Sequence, residues 1–541
     1  MASSSTNARQ QGGAARRFPT SESTTGIFSE ERRLGQALIL LTLIVGTLYY
    51  GVLFLFLERG DGTLYFFLAS SEAFRLWQIV TLCYTTWHTT PPSFAFDAAF
   101  EPAVDLYITV AGEPMDLVRR TIKGAQAIDY PNLSIYVLND GLVTGKPNWK
   151  AIDSLCGEMG VKCMTRATGG GAKAGNINYA LSKTTGEYVA IFDADHVPKA
   201  QFLKKTIGFF VEEKVGFVQT PQYYGNHALN ITTAAAWAQQ ALFFGGICRG
   251  KNALNSVFMC GTNLVFRRRA VADVGGMFEK SITEDFLTSM FLHEKGWTSV
   301  YVPEVLSEGL GPEDLSAYAK QQFRWARGCL EVVFQYNPLL REGLSLTQKV
   351  QYLASASYWL SGLVVALNAL FPLIFFFTGL TPLGSVNEAL LIAFLPYMLA
   401  TVLMLKELSN SQFRFQGLCF SMAAFPIHLK ALLHLGCGLK PSFEVTRKRW
   451  QAETCWLLIL PLGTYVGCAL TGMILCFRRE GLSCALATNS AWAIFYMAAV
   501  SPVLAAAWQG RSPSRWRWLS RHSMAAGLSR PGNPSRLLLG R

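Results

Sequence analysis

The chain has 541 residues, half of them hydrophobic and only 16% charged, against roughly 25% charged in ordinary soluble domains. It therefore holds more than one structural unit and turns part of its surface to hydrocarbon, while 13% aromatics exclude disorder as the main state. The net charge of +12 comes from 1–33 (five basic, three acidic), 440–451 (four basic, one acidic) and 511–541 (seven Arg), all beside apolar stretches, which excludes a nucleic-acid face and suits flanks of membrane spans.

In chain order, residues 1–33 read as a disordered polar leader without the apolar stretch of a signal peptide. Two transmembrane helices follow within 34–90, at Leu34 to Leu57 and Leu64 to Trp87. The second carries Glu72 and Arg75 at i, i+3, close enough to neutralise each other or face a polar interior.

From 98 to 338 the apolar runs shorten to strand length. Segments 105–111, 133–140, 187–195 and 215–220 read as buried parallel strands, with a helix between the first two, so an α/β sheet with ligand-binding loops at its strand ends is expected. Residues 339–510 hold four more transmembrane helices, at 354–380, 389–405, 453–477 and 485–508. An amphipathic interface helix lies at 420–439 and a basic loop at 440–451. About six spans then place both termini, the α/β domain and that loop on the positively charged, cytosolic side. Twelve cysteines show neither CxxC nor Cys/His ligand spacing and read as reduced thiols; Cys156 and Cys163 are the nearest pair in the α/β part.

The chemistry lies in the α/β part. Asp140 ends one predicted strand, and Asp193 and Asp195 end another in FDADH. Paired strand-end carboxylates suit a divalent cation that neutralises a diphosphate leaving group. Taken singly the signals are weak: Thr283-Glu284-Asp285 reads first as a helix cap with Thr283 as N-cap, and Gln321-Gln322-Phe323-Arg324-Trp325 as an amphipathic surface helix. Together they assemble metal ligands, a base, a guanidinium and an indole platform in one domain fused to spans.

The order Asp140, Asp193-Ala194-Asp195, Thr283-Glu284-Asp285, Gln321-x-x-Arg324-Trp325 resembles the processive family-2 glycosyltransferases of the cellulose-synthase kind over roughly residues 100–480. The resemblance extends to ITVAGEP (Thr109, Glu113), to GGAKAGN (Lys173), to FMCGTN (Cys260, Gly261, Thr262), where Thr262 replaces the family's Ser, and to FEVTRK (Thr446, Lys448), the family's gating loop within 440–451. It implies an α/β GT-A-type glycosyltransferase domain inserted in an α-helical transmembrane bundle with amphipathic interface helices.

It also implies inverting transfer of glucose from UDP-glucose to a growing β-1,4-glucan that is translocated across the plasma (inner) membrane. Asp285 is the implied base. Asp193 and Asp195 hold Mg2+ or Mn2+, Thr109, Glu113, Asp140, Lys173, Thr446 and Lys448 hold the nucleotide, Arg324 the departing UDP, and Gln321, Glu284, Trp325 and the Cys260–Thr262 segment the acceptor. Trp77, Trp87, Trp359, Trp456 and Tyr465 are candidates for stacking along an exit, although Trp and Tyr also favour membrane interfaces. β-1,3 or mixed-linkage glucan, chitin- or hyaluronan-type polymers and transfer to a lipid-linked sugar are the alternatives, and a transporter with a nucleotide-binding domain is the rival class. Partners are the UDP-sugar, the polysaccharide and the bilayer; accessory subunits or a homo-oligomer stay open, and nucleic acid is excluded. The Arg-rich tail 511–541 is too short for the family's cyclic-di-GMP-binding barrel and is expected at anionic lipid.

Overall fold

Runs of buried apolar residues decide the centre of the molecule. The computed structural model describes residues 22–88, 94–384, 388–409, 412–439 and 453–509. Its strands are β1 (Val104–Val110), β2 (Leu133–Asn139), β3 (Lys162–Thr165), β4 (Tyr188–Asp193), β5 (Val197–Pro198), β6 (Val215–Gln219), β7 (Leu264–Arg267), β8 (Thr298–Tyr301) and β9 (Ser307–Glu308). Seven of them form one sheet in the order β3-β2-β1-β4-β7-β6-β8, while β5 and β9 pair separately.

All seven residues of β1 and the first five of β4 are buried, as strands covered on both faces must be. Helices Met115–Gln126 and Trp149–Glu158 help cover one face through Val118, Ile122, Ile152 and Leu155. Ala172–Leu181 covers the other through Ala174, Ile177 and Ala180. The four predicted strands are present, but the sheet is mixed: β7 runs antiparallel between β4 and β6. Its Arg267 remains buried because its guanidinium donates to the carbonyls of Phe210, Glu212 and Val215 and to the Tyr188 hydroxyl, satisfying a charge that would otherwise be costly to bury.

Six helical stretches among the described residues are long and apolar enough to cross a membrane: Arg33–Phe56, Leu346–Thr378, Ala389–Leu408, Phe415–Gly436, Trp456–Glu480 and Cys484–Ala507. The number matches expectation but the membership differs. Gly62–Trp87 is helical throughout and absent from that set. Its Glu72 is 2% exposed and paired to Arg75 at 2.7 Å, and Leu68 packs with Tyr49, Tyr50 and Phe371. Phe66, Leu76 and Val80 on the same helix are exposed, so the Glu72 face turns into the bundle, where a polar residue is tolerated, while the opposite face stays apolar. The 415–436 stretch passes by composition, yet it divides into Phe415–Ala423 and Phe425–Gly436 with Pro426 in the first turn of the second helix. Phe420, Ala423 and Ile427 pack against Trp237 and Tyr318 on one side and Leu458, Leu462 and Val503 on the other. That position between the α/β domain and the spans is the one expected of an interface helix. An α/β domain joined to a helical bundle is the layout anticipated above.

Candidate active site

Chain order reverses at β1, which has β2 on one side and β4 on the other, and such a switch point opens a crevice beyond the strand ends. Thr109 pairs with Asp193 in the sheet register, and Val110 with Asn139, so Asp140 and Asp193 emerge on either side of β1. Thr109 Oγ1 donates to Asp193 Oδ1 at 3.1 Å, and the Asp193 backbone N–H donates to Thr262 Oγ1 at 2.9 Å. Lys173 Nζ donates to the Asp193 carboxylate and, at 2.8 Å, to the Gly261 carbonyl.

Gly261 is where distant segments meet. Its φ of +79° favours glycine, and a Cβ there would lie 3.1 Å from Asp285 Oδ2 and 3.6 Å from Lys173 Nζ. Asp285 occupies the first turn of helix Glu284–Glu294, and its Oδ1 accepts the Phe286 N–H at 2.8 Å. Thr283 does not cap this helix through its side chain, contrary to the cap reading. Instead it lies against Gly328 of helix Leu315–Gln335, where a Cβ would come within 2.3 Å of Thr283 Cγ2.

That contact brings Arg324, one turn earlier, into electrostatic reach of both carboxyls. Burial pushes Asp285 up to about 6, opposed by its bond from the Phe286 N–H and by Lys173 and Arg324. Burial and then the Asp285 charge push Glu284 up to about 7, with the same two cations opposing. A buried carboxyl raised in this way is suited to take a proton near neutral pH. Gly328→Val is expected to cost about 1–3 kcal/mol by overpacking and to lower turnover further by displacing the Glu284–Asp285 turn. A thermal melt and an activity assay on the same sample check this.

Asp140 is 5% exposed and gripped by Arg166, with Nε to Oδ1 at 2.6 Å and Nη2 to Oδ2 at 2.8 Å. Burial raises this carboxyl, and the Arg166 fork opposes the rise. The same guanidinium donates to the carbonyls of Gly170 at 2.6 Å and Ala172 at 2.9 Å. It thereby fixes the left-handed Gly170-Gly171-Ala172 turn, with φ of 124°, 65° and 44°, that launches helix Ala172–Leu181 and its Lys173. No motif marks Arg166 in the sequence. Glu113 folds back at the end of β1, its Oε2 accepting the Ala111 N–H at 2.6 Å.

Asp193, Asp195 and His196 bring one potential ligand atom each to within 4.8 Å of one another. Two carboxylates and an imidazole suit a divalent cation such as Mn2+ or Mg2+. His196, 4% exposed, was not anticipated, although its place directly after the paired aspartates was the available signal.

Next to the paired aspartates, Gln219 binds the Cys260–Thr262 segment to β6: its Oε1 accepts the Cys260 N–H and its Nε2 donates to the Thr262 carbonyl. Thr262 is 1% exposed, and its hydroxyl also donates to Asn263 Oδ1, so it braces the paired-aspartate loop from behind. Gln321 is buried, and Trp325 packs with Ala326, Leu330, Trp359 and Ala431. The geometry thus gathers Thr109, Lys173, Asp193, Gly261, Asp285 and Arg324. Thr446 and Lys448 lie outside the described residues. Among the aromatics proposed for an exit, Trp359 and Tyr465 are buried, and the Trp77 Nε1 donates to Ser357 Oγ at 3.2 Å. Trp456 is 63% exposed and points out of the bundle, as a membrane-interface residue does; Trp87 is also exposed.

Comparison with known proteins gives the same residues a context. Residues 102–328 match the model of a family described as glycosyltransferase like family 2, and residues 272–422 match the cellulose synthase model. The chain is 36% identical over 279 residues to the cellulose synthase catalytic subunit [UDP-forming] of Xanthomonas axonopodis pv. citri, covering 50% of this chain and 37% of that protein. It is 33% identical over 343 residues to cellulose synthase 2 of Novacetimonas hansenii, covering 61% and 21% respectively. It thus spans well under half the length of these two relatives. A mannosyltransferase from Pyrobaculum calidifontis, solved in complex with GDP-Man and Mn2+, superposes with a TM-score of 0.44 at 17% identity, over 73% of this chain and 99% of that one.

Proposed function

We propose, on the premise that the chain is a family-2 glycosyltransferase of the cellulose-synthase kind, that it is a processive inverting synthase taking glucose from UDP-glucose into a β-1,4-glucan and passing the polymer through its membrane bundle. The observation that carries this reading is the meeting at Gly261 of Lys173, which holds Asp193, with Asp285, itself within the field of Arg324.

Asp285 takes the proton of the acceptor hydroxyl as that oxygen bonds to the anomeric carbon and the bond to the UDP oxygen breaks. Lys173 and Arg324 offset the charge that grows on the departing diphosphate. Asp193, Asp195 and His196 fit a Mn2+ or Mg2+ ion, which when bound supplies further charge neutralisation to the diphosphate. Thr109, Glu113 and Asp140, the last fixed by Arg166, line the nucleotide side. Gln321, Glu284, Trp325 and the Cys260–Thr262 segment receive the acceptor, with the indole face under a pyranose ring. The catalytic domain, 98–338, faces the cytosol of a multi-pass protein in the plasma (inner) membrane, with spans in 34–90 and 339–510.

The pH dependence follows from the base. Because Asp285 must be ionised to act and burial lifts it to about 6, kcat/KM is expected to fall as pH drops through that value and to level off above it. A rate that stays flat from pH 8 down to pH 5 contradicts the assignment. The function itself is tested by incubating the protein in lipid with each UDP-sugar and Mg2+ or Mn2+, then digesting the product with linkage-specific glycanases. UDP-glucose consumption giving a product cut only by β-1,4-glucanase is expected. A β-1,3-glucanase-sensitive product, or a preference for UDP-N-acetylglucosamine, overturns the product assigned.

A further inference from the structure

Between residues 94 and 345, large apolar side chains are exposed at Leu142 and Tyr179 and then three times in close succession, at Phe334 (58%), Leu339 (46%) and Leu340 (80%) among the described residues. Leu346, 76% exposed, extends the series. A cluster of this kind on an otherwise well-covered domain marks a contact surface. It is a built feature: the Asn337 side chain accepts the Leu339 N–H at 3.0 Å in the turn Pro338–Leu340, and Ser345 closes a capping box with Gln348 at the start of helix Leu346–Ser357.

We propose that residues 334–346 form an apolar finger that inserts among the lipids of the leaflet facing the catalytic domain. Three observations favour lipid over a second protein. The finger runs directly into Leu346–Thr378, so its last residue opens a helical stretch long and apolar enough to cross a bilayer. The Tyr84 hydroxyl lies 3.3 Å from Thr347 Oγ1, and Tyr84 and Trp87 at the end of helix Gly62–Trp87 are exposed in the same neighbourhood, the residue types that favour a membrane interface. Finally, the one cation in the turn is used inward: Arg341 binds Glu294 through Nη2 at 2.6 Å and Nε at 3.2 Å and lies over the Phe291 ring at 5.1 Å, which leaves Phe334, Leu339, Leu340 and Leu346 as the bulk of the outward surface, with Gln335, Glu342 and Ser345 as the polar side chains that must stay at headgroup level.

The inward contacts give the finger a purpose. Glu294 is the last residue of helix Glu284–Glu294, whose first turn carries Asp285, and Gly343 lies so close that a Cβ would come 2.1 Å from the Glu294 carbonyl. Phe334 sits at the end of the helix bearing Arg324 and Trp325. Insertion therefore fixes the height of both helices relative to the bilayer through rigid elements. The inference concerns membrane contact and does not depend on which sugar is transferred.

Spin labelling tests it on the full chain in phospholipid nanodiscs, with exposed Cys437 and Cys484 replaced by Ser and the signal of that parent subtracted. A label at Leu340→Cys is expected to collide with dissolved oxygen more than with a water-soluble nickel chelate, as a label at Ile392→Cys on the exposed face of helix Glu388–Leu408 does. Leu142→Cys, on the α/β domain, gives the reverse ratio. A Leu340 label that behaves like Leu142 places the finger in water and overturns the proposal. Protection from both reagents places it under protein and overturns it equally.

Discussion

Asp285→Asn is expected to abolish measurable UDP release, lowering kcat by about 10²–10⁴-fold, the usual contribution of a positioned general base. The fold is expected to survive the change. Burial raises the Asp285 carboxyl, so near neutral pH the ionised form carries a destabilising desolvation cost, which an amide lacks. The amide still offers an oxygen to the Phe286 N–H that Asp285 Oδ1 now accepts. The thermal midpoint at pH 7.5 should therefore match or exceed that of the parent, while turnover is lost. Full turnover by the variant rules out Asp285 as the base. Loss of turnover together with a lower midpoint points to a structural role.

Arg166→Met is expected to produce the largest loss of stability in the nucleotide half of the site. The Arg166–Asp140 pair is bidentate, and each side chain is 7% exposed. Removing the guanidinium leaves a buried carboxylate without its counter-charge, a defect worth about 3–5 kcal/mol. It also frees the Gly170 and Ala172 carbonyls that hold the start of the Lys173 helix, so UDP binding should weaken as well. The assignment of the loss to the buried charge is checked by a second substitution. Asp140→Asn in the Arg166→Met background should recover part of the thermal midpoint, because the two sites are coupled through one pair. No recovery would mean that the lost packing of the Arg166 stem, and not the orphaned carboxylate, accounts for the effect.

The parts legible in the sequence were those where neighbouring residues carry the signal. β1, β2, β4 and β6 were visible because each is a continuous apolar run bounded by turn residues. β7 was hidden because it is four residues long and ends in Arg267, whose burial depends on carbonyls supplied by residues 210–215. The same division holds for the site. Asp140, Asp193 and Asp195 could be placed at strand ends, and Asp285 and Arg324 could be named from motif order. Arg166 could not, since its partner Asp140 lies 26 residues away and only the fold makes them neighbours. Gly328 is similar: its importance lies in the approach of Thr283 from a different helix. His196 was missed although ligand chemistry next to a paired-aspartate turn was available to find it. The helix Gly62–Trp87 shows the limit of hydropathy, because Glu72 and Arg75 are reconciled with the bundle by each other and by the surrounding tyrosines.

The most direct test of the shared cleft is a cryo-EM map of the full chain in lipid with UDP and Mn2+. Density for the diphosphate is expected between the Asp193–Asp195–His196 cluster and the Lys173 and Arg324 side chains, with the Asp285 carboxylate facing the position the anomeric carbon takes in the donor. UDP bound away from Lys173 and Arg324, or with Asp285 turned from its terminal phosphate, contradicts a single site built from these segments.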